Sequence, residues 1–177
     1  MIGVAYPAVR TLAAARYTLR MTAAAPYHQL VLEHSRAPRR FGALEHATHT
    51  ADGANPLCGD ALHVDVRVTD GRIADLRFRG EACALVRASA SMLGERAIDL
   101  DAVALAQLEA DFARLVAGAL AQEATLGDLN AFAALAQYPS RRKCALLPFA
   151  TLRAALAGHV TATTESKPPE SSLQEKT

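Results

Sequence analysis

Apolar and polar residues alternate over two adjacent segments of this chain. Leu62, Val64, Val66 and Val68 alternate with His63, Asp65 and Arg67, the period of a strand with one face in a core and the other in water. After the turn pair Asp70-Gly71, the alternation resumes through Ala74, Leu76 and Phe78 against Asp75, Arg77 and Arg79. The pair predicts an antiparallel hairpin with a single buried face, which other elements must cover. Periods of three and four predict those elements. Tyr27, Leu30, Val31 and His34 follow Pro26 and are stopped by Pro38, predicting a helix over 26–36. An Ala/Ser-rich helix is expected over about 84–97, and Leu105, Leu108, Phe112, Leu115, Val116 and Leu120 mark a strongly periodic one that Asp99 and Asp101 can cap. Leu147, Leu152 and Leu156 predict a further helix after Cys144, ending before Gly158. Residues 39–56 carry no period and read as loop with one short strand, closed by the turn Asn55-Pro56. Strands first and helices afterwards make an α+β domain, a small antiparallel sheet with helices packed on one face.

The chain's 177 residues, 51% hydrophobic and 21% charged, suffice for one domain with a real core. Neither a Gly/Ser-rich linker nor a repeat divides it. Residues 1–23 form an extension expected to be disordered or not translated. Its Arg10, Arg16 and Arg20 without acidic residues superficially resemble a targeting segment, but Met21 offers an equally economical start. Residues 24–160 are the expected folded domain. Residues 161–177, rich in Thr, Glu, Ser, Lys and Pro with Leu173 as the one large apolar side chain, are expected to be a disordered tail. A net charge of +1 supplies no field for non-specific nucleic-acid binding, and no apolar run reaches membrane-spanning length. Neither nucleic acid nor membrane is an expected partner. Three cysteines cannot form a dense disulfide framework, so the thiols suit a reducing, cytoplasmic setting and are available for chemistry or metal.

Each cysteine has a distinctive context. Cys58 lies in the tight turn Pro56-Leu57-Cys58-Gly59-Asp60, beside a carboxylate. Cys83 precedes the Ala/Ser helix, whose first-turn N–H groups favour a thiolate. Cys144 follows Arg141-Arg142-Lys143, three cations expected to favour a thiolate there as well. If the three converge, they and Asp60 form a four-donor set suited to Zn(II), while the thiolates alone also suit an iron–sulfur cluster. No Cys-x-x-Cys pair is present, and three ordinary buried cysteines would need no function. The six histidines show no helical ligand pairing, and Ser89 and Ser91, set among alanines, read as close-packing residues rather than nucleophiles.

Several stretches together resemble a known family, the U-type iron–sulfur assembly proteins, the SufU, IscU and NifU N-terminal group. They are Tyr27 to Gly42, Asn55 to Asp60, Phe78 to Cys83 with Ala88-Ser89-Ala90-Ser91-Met92, and Arg141 to Leu152. The likeness covers about residues 26–157. Within the group the chain looks like the SufU branch. Lys143 stands where IscU-type proteins carry a histidine before the third cysteine, and Tyr138-Pro139-Ser140-Arg141 replaces their Leu-Pro-Pro-Val-Lys motif. The long segment between Cys83 and Cys144, with Leu126-Gly127-Asp128-Leu129, and the spacing of Arg141 to Cys144 also match SufU. Ala82 departs from the family's usual glycine.

The resemblance implies the SufE/NifU/IscU-like fold and a Zn(II) held by Cys58, Asp60, Cys83 and Cys144. It implies a SufS-type cysteine desulfurase as partner, whose persulfide sulfur Cys58 would accept, with Arg141 stabilising the departing negative charge. The sulfur would pass to a downstream iron–sulfur scaffold or apoprotein. The alternative implied by IscU-type relatives is a scaffold carrying a transient [2Fe-2S] cluster on the same cysteines.

Overall fold

The computed structural model describes residues 29–165; the expected 1–23 extension and residues 166–177 of the expected tail lie outside the described residues. In chain order the elements are helix α1 (Gln29–Arg36), strands β1 (His49–Asn55), β2 (Asp60–Thr69) and β3 (Arg72–Arg79), helices α2 (Ala84–Arg96) and α3 (Ala102–Ala117), a run of 3-10 turns over Ala124–Gln137, helix α4 (Pro139–Leu156), and a two-residue strand β4 (Thr161–Ala162). The sheet order is β3-β2-β1-β4. The three longer strands are antiparallel as expected, and β4 adds a short parallel pairing to β1, Asp52 to Thr161 and Gly53 to Ala162. The α+β architecture is therefore an antiparallel meander with a small mixed edge, and its helices α2 and α4 pack on one face.

The buried face of the sheet is built from Ala51, Leu62, Val64, Val66, Ile73, Leu76 and Phe78. Asp65, expected on the water face of β2, is buried beside His63 and Arg79, and one residue of β3 also breaks the expected alternation. Ala74 is exposed and Ile73 is buried, because the register steps from Arg67↔Asp75 to Val68↔Ile73. Two steps along β3 thus match one along β2, and this bulge turns Ala74 outward.

Helix α3 buries Leu105, Leu108, Phe112, Leu115 and Val116 and is capped by Asp101, whose side chain accepts from the Ala104 amide at 2.9 Å. It ends at Ala117, so Leu120 falls beyond it. The 124–137 run has no counterpart in the sequence periodicity. It buries Leu126, Leu129, Phe132 and Leu135 across a break at Gly127, and Phe132 meets Phe112 edge-on with centroids 5.5 Å apart.

Two expectations at the end of the chain need correction. Helix α4 does not follow Cys144 but starts already at Pro139, which occupies its first turn as proline's fixed φ and missing N–H allow. Cys144 is thereby a helix-interior residue, wholly buried. Residues 161–165, assigned to the disordered tail, instead hold defined positions against β1 and α4. Their small polar side chains find buried hydrogen-bond partners, which composition alone does not reveal. No helix of the described residues is long and apolar enough to cross a membrane.

Ser89 and Ser91 are both fully buried in α2, as close-packing residues should be, and both hydroxyls are used. Ser89 donates to the Ala145 carbonyl at 2.6 Å, tying α2 to α4 one residue past Cys144. Ser91 Oγ accepts the Arg39 amide at 2.8 Å and shares a 2.8 Å bond with Nδ1 of buried His34. This locks the turn after α1 onto α2. Replacing Ser91 by alanine leaves buried His34 Nδ1 and the part-buried Arg39 amide short of a partner, and urea denaturation should register a loss of about 2 kcal/mol; a change below about 0.5 kcal/mol would show that the bridge is dispensable.

Candidate metal centre

The β1–β2 connection carries the first two candidate ligands. Strand β1 ends at Asn55, Pro56–Cys58 form one 3-10 turn, and Gly59 reverses the chain in the left-handed region at φ +68°, its amide bonding the Pro56 carbonyl at 3.1 Å. Only glycine enters that region freely. Asp60 opens β2 opposite Asn55, so its side chain stands at the root of the turn while Cys58 sits at the tip.

Asp60 is 3% exposed and is held by Cys83. The Cys83 amide donates to Oδ1 at 2.8 Å, and the Cys83 thiol lies 3.8 Å from Oδ2. Cys83 is the N-cap residue of α2. Cys144 arrives from α4 with its Sγ 3.6 Å from that of Cys58. One ligand atom each from Cys58, Asp60 and Cys144 lie within 4.8 Å of one another. The structure therefore brings Cys58, Asp60 and Cys144 together from two segments, and Cys83 joins them through its contact with Asp60.

The donors suit a metal by their chemistry. Thiolates with one carboxylate are a zinc or iron set, and the Cys83 amide fixes the orientation of the carboxylate. The Cys83 and Cys144 thiols, which hydrogen-bond to each other, shift in opposite directions. The Cys83 thiol is lowered to about 7, first by its hydrogen bond with Cys144 and then, against a burial penalty, by the Val86 and Leu85 amides at the start of α2. The helix-start contribution is the one expected from the sequence.

Cys144 behaves opposite to expectation. Its pKa is raised, first by the hydrogen bond to Cys83 and then by burial, which outweigh the cations preceding it. Arg142 donates to the Leu135 and Ala136 carbonyls, closing the 124–137 run. Lys143 Nζ pairs with Glu165 at 3.2 Å, which together with the nearby thiols keeps it firmly charged. Arg141 is exposed in the first turn of α4, one turn before Cys144, and its guanidinium has no ion pair among the described residues.

Residues that sequence reasoning passed over complete the site. Asn55, fully buried, accepts the Thr164 amide at 3.0 Å through Oδ1 and donates to Thr164 Oγ1 at 2.8 Å. Thr164 Oγ1 in turn donates to the Lys143 carbonyl at 2.7 Å. Glu165 accepts the Leu57 amide at 3.0 Å. The only signal for Asn55 was its place in the Asn-Pro-x-Cys-Gly-Asp stretch, and Thr163–Glu165 carried none.

Comparison with known proteins agrees with this geometry. The chain is 30% identical over 130 residues to the iron–sulfur cluster assembly scaffold protein IscU of Thermotoga maritima, covering 73% of this chain and 92% of that one. It is 29% identical over 132 residues to the zinc-dependent sulfurtransferase SufU of Bacillus subtilis, covering 74% and 89%. The solved N-terminal part of a nitrogen-fixing NifU-like protein from Brucella abortus superposes with a TM-score of 0.69 at 26% identity, over 75% of this chain and 92% of that one. The model of the NifU-like N-terminal domain matches residues 26–145, more than half of the chain, and the chain belongs to the NifU-like N-terminal domain family.

Proposed function

We propose that this protein serves iron–sulfur cluster assembly as a zinc-dependent sulfur acceptor of the SufU kind. A SufS-type cysteine desulfurase supplies the sulfur, and a downstream iron–sulfur scaffold or apoprotein receives it. The observation that carries this reading is the grouping of Cys58, Asp60 and Cys144 within 4.8 Å at a turn whose tip is open, with neighbouring Leu57 84% exposed. The similarity to the zinc-dependent SufU of Bacillus subtilis supports the zinc assignment. So does Lys143, which is paired to Glu165 and offers no ligand where IscU-type proteins have histidine.

Cys58, Asp60, Cys83 and Cys144 would hold the metal. Zinc bound there keeps the thiolates deprotonated at neutral pH and, lacking a d-electron preference for one geometry, tolerates exchange of a ligand. Cys58, at the turn tip and half-buried, is the residue best placed to leave. Its thiolate attacks the terminal sulfur of the partner's persulfide. A Cys58 S–S bond forms, the partner's S–S bond breaks, and the electron pair departs on the partner's cysteine thiolate with no net oxidation. The exposed guanidinium of Arg141, not engaged by another described residue, stabilises that developing charge. Asp60 stays fixed by the Cys83 amide throughout.

A second reading, a scaffold for a transient [2Fe-2S] cluster, draws on the IscU relative from Thermotoga maritima and on the three thiols. Metal analysis of protein purified with and without air separates the two. The expected result is about one zinc per chain and a colourless protein. Cys58→Ala should abolish sulfur uptake from a desulfurase, and Arg141→Ala should slow it. A brown protein with iron and acid-labile sulfide, lost in Cys58→Ala, would replace the first reading by the second.

A further inference from the structure

The segment Thr161–Glu165 crosses the two parts of the site that carry Cys58 and Cys144. Asn55 and Thr164 tie it to the end of β1 and to the Lys143 carbonyl, and Glu165 reaches the Leu57 amide and the Lys143 ammonium with one oxygen. The turn it grips has little else to hold it. Pro56–Cys58 has no side-chain cap and no buried residue, and Leu57 projects outward. Cys83, by contrast, is anchored by Asp60 and by its place at the head of α2, and Cys144 by the interior of α4. The contact at the Leu57 amide therefore bears most on Cys58, whose turn lacks the anchoring of the other two cysteines.

We propose that Glu165 is a positioning residue for the metal centre, latching the Cys58 turn to the start of α4 through the Leu57 amide and Lys143. A charge-assisted bond to an amide at the residue before Cys58 limits how far that thiol can swing from Asp60 and Cys144. If Cys58 is the sulfur acceptor, as proposed above, the latch sets how readily it leaves its co-ligands to meet a donor. The placement itself does not depend on that reading.

The test uses the full chain, metal-free and without desulfurase, so failure of sulfur transfer leaves its outcome unaffected. Hydrogen exchange of the peptide spanning Leu57 to Asp60 is compared among wild type, Glu165→Ala, Glu165→Gln and Thr164→Val, with peptide-resolved alkylation of the three cysteines alongside. In Glu165→Ala, protection of that peptide should fall about tenfold, and Cys58 alkylation should rise while Cys83 and Cys144 hold their rates. Glu165→Gln, whose amide oxygen still accepts from Leu57, should recover most of the protection. Thr164→Val, which leaves every charge in place but removes the bonds to Asn55 and the Lys143 carbonyl, should loosen the end of β1 and the start of α4 while protection of the Leu57 amide by Glu165 largely persists. Unchanged exchange in Glu165→Ala would overturn the proposal, as would loosening spread equally over all three cysteines, the mark of a general loss of stability.

Discussion

On the proposed zinc reading, Asp60→Ala should lose at least about 100-fold in zinc affinity by chelator competition, because it would remove a donor as well as the acceptor that holds the Cys83 amide. Asp60 is buried at the root of the β1–β2 turn, next to Cys58 and Cys144. Asp60→Asn separates ligation from local structure. Its side-chain oxygen still accepts from Cys83, so the metal-free fold should stay within about 1 kcal/mol of wild type by urea denaturation. Its neutral amide is a poor partner for a dication, so affinity should fall nearly as far as in Asp60→Ala. Zinc affinity within about threefold of wild type in both variants, against the loss that ligand removal implies, would remove Asp60 from the ligand set.

The largest stability effect is expected at Gly80, which links β3 to the Cys83 segment. Its φ of +136° lies where side chains are strained, and an added Cβ would overlap the Ala61 carbonyl oxygen while approaching Ala61 C and Leu62 Cα at 3.1 Å. All three atoms are backbone, in a strand hydrogen-bonded from the Ala61 amide to the Glu81 carbonyl at 2.8 Å, so none can yield as a side chain would. Strain and overlap together should cost Gly80→Ala about 3 kcal/mol or more, and lower its melting temperature by roughly 10 °C. Gly71→Ala is the control. It has φ +73° at the hairpin turn with no atom within 4 Å, and should cost about 1 kcal/mol. Equal melting temperatures for the two variants would show that the approach of Ala61 to Gly80 is not tight. Because the Gly80–Cys83 segment delivers one ligand and the Asp60 clamp, Gly80→Ala should also weaken zinc binding, whereas Gly71→Ala should not.

Much of the fold was legible wherever a residue's surroundings are set by its near neighbours along the chain. The alternation in β2, apart from Asp65, which is buried against His63 and Arg79, the heptad-like run of α3 and the Asp101 cap all act within a few residues and stand where the pattern put them. The misreadings have an equally local cause. The bulge at Ala74 is a property of two paired strands, and alternation along one cannot display it. The 124–137 run is alanine-rich with a glycine break, so its apolar residues follow no single period. Pro139 did announce the start of α4, but the leucines after Cys144 drew the boundary too late.

The site divides the same way. Thiol identity, the carboxylate two residues after Cys58 and the position of Cys83 ahead of a helix are matters of chain order, and they sufficed to name the four candidate ligands. Which charges face them was decided elsewhere. The cations preceding Cys144 were expected to lower its pKa, yet Arg142 turns to the 124–137 carbonyls and Lys143 to Glu165. In a helix, three consecutive residues point in three directions, and packing selects what each one meets. A run of Thr and Glu at 161–165 offers no apolar period, but Asn55 and the Lys143 carbonyl, distant in sequence, give it partners. Chain order thus determined the donors, the hairpin and the capped helices, because those forces act over a turn or two. Tertiary packing alone decided that the donors converge, that Cys144 is buried with its pKa raised, and that the last described residues grip the Cys58 turn, because each joins groups that only the folded core brings within hydrogen-bonding distance.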